Sequence, residues 1–418
     1  MNLIDRNIEW IVVSAVILVT TFPVFESCLR FVLPIADGVF TIIHYLVLFL
    51  LLFYQYNHYK WKGLNDKYIY FVVLYCIYVI LYTTIFQVYP LVSLLGIPNK
   101  MITIYTKTTL LLGYLICAKT IFYHFNVRKF FYLSLVFCTL SSLLYIKYVG
   151  VSFFQNAEWA EENNYIHPFI LSYANVPIMV VGVLNYNKLA NTKWVSKFWS
   201  IVAILTIGYI LIVCTKRGPI LWLCVNLVIC FYFTNRNKLK YAAIIVPISL
   251  VLYFNLETVL EWISYVAPST SERIFESVYE GDTAHRFNLE DQESSNYILG
   301  FKQFLGSPVY GSYFRLISSD FMFRGVYPHN IFIEILMTMG LLGFVPFIIL
   351  LKRAFNNIYH YSPILNRNSI SCVVLFLSQF LQLQTTDSIV LNIWFWLFFF
   401  IVYKMKEWYS LTIVVEHD

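Results

Sequence analysis

Apolar segments long enough to cross a bilayer recur along this chain and leave little room for any other reading. Twelve can be drawn, on residues 8–25, 35–55, 68–88, 103–123, 130–150, 169–186, 198–214, 218–234, 240–255, 331–351, 369–385 and 389–404. The connections between them are short except at residues 256–330. A bilayer offers no hydrogen-bond partners to the backbone, so only helices or closed barrels span it. These runs are continuously apolar rather than alternating, which selects helices. Charged residues make up only 12% of the 418, against about a quarter in a typical soluble domain. The expected fold is an all-α polytopic membrane protein of about 12 transmembrane helices, a single domain over residues 1–418. Its first run lacks a small-residue cleavage site and reads as a retained span.

Lys and Arg set the orientation. With the N-terminus in the cytoplasm, seventeen fall in cytoplasmic connections and nine in outer ones, five of the nine in the long loop. The short loops therefore follow the positive-inside rule. Both termini are expected in the cytoplasm and the 256–330 loop outside. The net charge of +6 is accounted for by this distribution, and no nucleic-acid partner is implied. Most of the eight cysteines, among them Cys76, Cys117, Cys138, Cys214, Cys224, Cys230 and Cys372, lie in apolar runs at no paired spacing. Free thiols are expected, without disulfides or a metal site.

The long loop contains short amphipathic stretches. Leu256, Val259, Leu260, Ile263 and Val266 share a helical face, Ser269 to Glu272 fits a capping box, and Tyr297, Ile298, Phe301, Phe304 and Leu305 form a second stripe. These helices lie on the membrane or simply cover the span ends. The loop carries ten acids against five basic residues, so an anion site there must be local, and Arg286 is the favoured member.

Outer connections hold the other candidates. Thr215-Lys216-Arg217-Gly218-Pro219 puts two cations where the positive-inside rule disfavours them. They either snorkel to lipid phosphates or form an anion site, for which the Arg fork is suited. Lys119 is close enough to an inner end to snorkel; Lys107 and Lys147, near outer ends, either snorkel, the favoured reading, or face the same cavity as that cation pair. Glu158, Glu161 and Glu162 read as a solvated acidic loop, and His167 as an interfacial residue. Tyr327-Pro328-His329-Asn330 then opens the tenth apolar run, with Glu334 four residues after Asn330. His329 is either an interfacial histidine bonded to backbone or a general base with a suitable pKa. In a helix, Asn330 and Glu334 are i,i+4 neighbours. Asp387, in Thr385-Thr386-Asp387-Ser388, is either a helix cap or a member of the same outer site.

Three landmarks in fixed order resemble the O-antigen ligase and O-antigen polymerase superfamily, over roughly residues 200–400. They are Thr215-Lys216-Arg217-Gly218, then Arg286 ahead of Ser307-Pro308-Val309-Tyr310-Gly311, then His329-Asn330 leading through Glu334 to Gly340-Leu341-Leu342-Gly343. Lys216 stands where the family commonly has Ser. The resemblance implies a membrane glycosyltransferase of the bacterial cell (inner) membrane, active on its outer face. Its donor and acceptor would be polyprenyl-diphosphate-linked oligosaccharides, with a chain-length regulator and a flippase as partners. His329, Arg286 and Arg217 would be catalytic. Lys216, Tyr327, Asn330, Glu334 and Asp387 would bind substrate. No Asp-x-Asp occurs in an outer loop, so neither metal nor cofactor is expected.

Two other functions compete with repeat-unit polymerisation. A ligase would move the finished glycan to another acceptor and would share all three landmarks. A transporter or flippase would call for mid-span charges, broken helices and related halves. The acid four residues after His-Asn favours the polymerase.

Overall fold

The computed structural model describes residues 3–32, 38–60, 66–86, 100–149, 169–190, 194–213, 217–234, 258, 261–262, 264, 330–361, 363–384, 389 and 392–415. Fourteen helices are present among them, and no strand. They are α1 (Leu3–Thr20), α2 (Phe22–Val32), α3 (Gly38–Tyr59), α4 (Lys67–Phe86), α5 (Lys100–Ile116), α6 (Ala118–His124) and α7 (Val127–Val149). Then follow α8 (Phe169–Leu184), α9 (Tyr186–Ala190), α10 (Trp194–Val213), α11 (Arg217–Thr234), α12 (Ile331–Tyr361), α13 (Arg367–Gln382) and α14 (Ile393–Val415). Helix overlies eleven of the twelve expected segments, and the twelfth, 240–255, lies outside the described residues. Of the long loop, only Thr258, Glu261, Trp262, Ser264 and Asn330 are described. The first four are helical and exposed, and the Ser264 hydroxyl donates to the Glu261 carbonyl at 2.6 Å.

Three described helical stretches are long and apolar enough to cross a membrane: Val39–Tyr59, Val127–Leu144 and Met339–Tyr361. Shorter apolar stretches are Lys67–Leu81, Tyr173–Leu184, Ser196–Gly208 and Trp222–Tyr232. Helix α3 shows the expected lipid-facing pattern. Ile42, Leu46, Phe49, Phe53 and Tyr56 are exposed at alternating spacings of four and three, with Phe49 67% exposed, while Phe40, Leu48, Leu51 and Gln55 are buried. A stripe of this kind would be a liability in water and is what a helix against acyl chains presents.

Five helix starts share one device. Asp66, Asn126, Asn330, Asn366 and Asn392 each immediately precede a helix, and each accepts a backbone N–H from its first turn. The side-chain oxygen thereby satisfies a donor that the helix cannot. Within the helices, Thr20, Ser141, Ser142, Ser200, Thr206 and Ser371 donate to carbonyls four residues back. These hydroxyls need no partner elsewhere.

The chain divides into two compact units. The first comprises Met1–Val47, Ile121–Asp282 and Ile358–Ser378, and the second Leu48–Thr120, Thr283–Asn357 and Gln379–Asp418. In the first unit α8 packs against α7, α10 and α11, and α2 packs against α7, where Phe22, Phe25 and Phe137 meet edge to face. Arginines close the ends of two helices there. Arg367 donates to the Leu184 carbonyl at 2.9 Å and Arg128 to that of Leu189 at 3.2 Å, which also suits the negative ends of the helix dipoles. Lys129 pairs with Glu9 at 2.7 Å and lies over the Trp10 ring.

In the second unit α5 packs against α4 and α14, and Trp396, fully buried, is the hub. Its ring meets Tyr68, Phe71, Tyr75, Phe347, Phe395 and Phe399. Its carbonyl accepts the Tyr68 hydroxyl at 2.7 Å. Lys404 is 9% exposed and bridges Asp66, 10% exposed, at 2.6 Å and Glu407. Arg353 bonds Glu407 at 2.9 Å and lies on the Tyr403 ring. Lys129, Arg353 and Lys404 are therefore ion-paired. Lys119 sits 4.7 Å over the Tyr59 ring, Lys107 is exposed, and the Lys147 side chain is outside the described set. The seven described cysteines, Cys28 among them, are free, and all but Cys224 are buried; Cys214 lies outside the described residues.

Two expected spans are corrected. The first is not one helix over 8–25, because the chain turns at Thr21 between α1 and α2. Pro23 has no N–H to give and its ring would crowd the carbonyl four residues back. The tenth is not one helix over 331–351. Gly340 has φ 61° and ψ −170° inside α12, a conformation essentially reserved for glycine. Ile331–Met339 is thus a separate short segment, and the membrane-length stretch begins at Met339. The break folds Met339 back so closely that a Cβ on Gly343 would overlap the Met339 Cβ. The two glycines of Gly340-Leu341-Leu342-Gly343 therefore answer to different needs, one to torsion and one to contact.

Gly340→Ala is expected to destabilise by about 1–3 kcal/mol, and Gly343→Ala to lower the melting temperature in detergent at least as much. Gly208→Ala is the control, because its Cβ would meet Met179 at an ordinary 3.7 Å.

Candidate functional site

The described part of the site is the start of α12 and the connection before α14. Asn330 is the N-cap of α12, its Oδ1 accepting from Phe332 N at 3.0 Å and Ile333 N at 3.3 Å. Its carbonyl takes the first helical bond, from Glu334 N at 2.9 Å. With its oxygen committed to the helix, what Asn330 can offer a ligand is the Nδ2 amide.

Glu334 lies in the first turn of α12 and is 1% exposed. Its Oε2 accepts the backbone N–H of Ile389 at 3.1 Å. Ile389 is itself fully buried, and its carbonyl accepts from Trp396 Nε1 at 3.1 Å and from Asn392 N at 3.1 Å. Both polar groups of this one peptide position are held, the N–H by a side chain of α12 and the carbonyl by the hub of α14. A first-turn carboxyl also faces the positive end of its own helix. On the same segment Phe332 meets Phe380 edge to face.

Arg217 begins α11, so the cation of Thr215-Lys216-Arg217 stands at a helix N-terminus; its side chain is not among those described. Pro219 falls within the first turn, where no intrahelical N–H is needed. Lys216, Arg286, Tyr327, His329 and Asp387 lie outside the described residues. Of the eight expected site residues the structure therefore relates two directly, Asn330 and Glu334, as cap and first-turn acid of one segment. Among the described residues, no group of three or more His, Cys, Asp or Glu side chains is placed to hold a metal ion.

Reasoning from the sequence missed the partner of Glu334. No local pattern marks Ile389, because the pairing spans 55 residues and uses a backbone group. The cap roles of Asn126, Asn330, Asn366 and Asn392 were missed as well, although an Asn directly before an apolar run is a signal for one.

The chain matches no known protein-family model, and no curated protein matches it significantly.

Asn330→Ala removes the cap and is expected to cost about 1 kcal/mol, whereas Asn330→Asp keeps an acceptor and should melt near wild type. Thermal denaturation in detergent checks both.

Proposed function

We propose that the protein polymerises polyprenyl-diphosphate-linked oligosaccharide repeat units into a surface polysaccharide such as an O-antigen, capsule or exopolysaccharide. The reaction belongs on the outer face of a bacterial cell membrane, the chain crossing about twelve times with both termini in the cytoplasm. The observation that carries this reading is the ordered set of Arg217, Arg286 and His329-Asn330, followed by the Gly340 and Gly343 pair. Two structural facts support it. Arg217 and Asn330 fall at helix N-termini, where an anion is favoured, and the glycine pair coincides with a real break.

The chemistry required is glycosyl transfer. An acceptor hydroxyl oxygen bonds to the anomeric carbon of the donor while the bond from that carbon to the diphosphate oxygen breaks. The electron pair leaves with the lipid diphosphate, and the hydroxyl proton passes to the imidazole of His329. Arg217 and Arg286, with Lys216 beside them, hold the diphosphate and meet its growing charge. Tyr327 stacks on a sugar, and Asn330 offers its amide to hydroxyls. Asp387 belongs to the same outer face.

A ligase that transfers a finished glycan to another acceptor is the second reading, because it would use the same Arg and His landmarks. The break in α12 is a feature that a transporter would also use. Transport would further call for related halves, and the sequence has no internal repeat.

Surface-glycan analysis of cells lacking the protein separates these readings. Single repeat units indicate the polymerase, long chains left on the lipid carrier the ligase, and units trapped inside the cell a flippase. His329→Ala and Arg286→Ala are expected to give the same single-unit profile, with lipid-linked units accumulating on the outer leaflet. Arg217→Ala should reduce product at least tenfold. Activity of the purified protein should survive chelation; loss with chelator and return with magnesium or manganese would overturn metal independence.

A further inference from the structure

The 256–330 loop offers too few described residues for a site, and the Lys404–Asp66–Glu407–Arg353 cluster is internally paired. The start of α12 carries more. We infer that Glu334 is a positioning residue, whose carboxyl fixes the connection between α13 and α14 beside the His-Asn segment, rather than a group that meets substrate or exchanges protons with it. This rests on the reading above that His329 is the general base.

The geometry is specific. Glu334 is 1% exposed, so its carboxyl faces protein. Oε2 takes the Ile389 N–H at 3.1 Å, and Ile389 itself is in neither helix nor strand. In an apolar surrounding such a donor needs a partner. The Ile389 carbonyl is held from the other side by Trp396 Nε1 at 3.1 Å, and Trp396 is itself locked by the Tyr68 hydroxyl on its carbonyl. A chain of bonds thus runs from the aromatic hub through one peptide position to the first turn of α12. His329 adjoins Asn330, the cap of that turn, and Asp387 precedes Ile389 by two residues in sequence. The bond joins the two stretches of chain that carry these candidates.

The role requires an acceptor oxygen at the right reach, not a charge. Glu334→Gln keeps both the reach and an oxygen, whereas Glu334→Asp keeps the charge on a stem one carbon shorter, and Glu334→Leu keeps neither. Positioning therefore predicts that Gln outperforms Asp, the reverse of what acid–base chemistry or charge recognition would give.

The test uses the full-length protein in two readouts. Surface-glycan chain length is followed in deleted cells complemented with each variant, and hydrogen–deuterium exchange of the peptide containing Ile389 is followed in detergent. Glu334→Gln is expected to retain at least a third of wild-type product with unchanged exchange at Ile389. Glu334→Asp and Glu334→Leu should lose tenfold or more and exchange faster there. The inference is overturned if folded Glu334→Gln is as inactive as Glu334→Leu, if Asp outperforms Gln, or if exchange at Ile389 ignores all three changes. Because exchange does not depend on activity, it decides the matter even if Glu334→Leu accumulates poorly. His329→Ala is measured alongside: wild-type chain length in that variant would sink the proposed reaction while leaving the Glu334–Ile389 exchange result standing.

Discussion

Backbone polar groups that cannot be left bare dictate where this chain bends and which side chains stand at the bends. In a bilayer interior an unsatisfied N–H or C=O costs several kcal/mol, so each interruption of a helix must bring its own partners. Several of the described interruptions do so with side chains. Asp66, Asn126, Asn330, Asn366 and Asn392 take the orphan donors at helix starts. Arg128 and Arg367 take orphan carbonyls at helix ends. At Ile389, where the chain has neither helix nor strand, a glutamate and a tryptophan divide the work.

The aromatic hub in the second unit explains why one peptide position can be held so firmly. Trp396 is packed on several sides by Tyr68, Phe347, Phe395 and Phe399, so its indole N–H points where the rings allow. Large rigid rings bring much contact area with few torsions to freeze. Asp66 links this packing to charge: Oδ1 caps α4 while Oδ2 holds Lys404. One carboxylate thus serves a helix start and an ion pair together, which is why Lys404 can be nearly buried.

Helices were legible in the sequence because their signal is local. Continuous apolar runs lie on the very residues that form the helices. Breaks were half legible. Pro23 was visible yet lay inside a run whose mean hydropathy still read as one span. Gly340 was visible as half of a glycine pair, but hydropathy does not report a torsion, so the span was placed too early. For the site, the four-residue spacing of Asn330 and Glu334 was visible because it is local, but that Asn330 is the cap outside the helix was not. The bond from Glu334 to Ile389 could not be found, because it joins distant parts of the chain through an amide that every residue type shares.

The break at Gly340 also makes two rods of α12 rather than one. A continuous helix from Asn330 to Tyr361 would transmit every change of tilt to its first turn, because a helix that adapts to a thinner or thicker bilayer moves as a rod. Here the rod begins at Met339. The turn ahead of it is tied to Ile389 through Glu334, so a lean of the longer rod need not carry Asn330 and Glu334 with it.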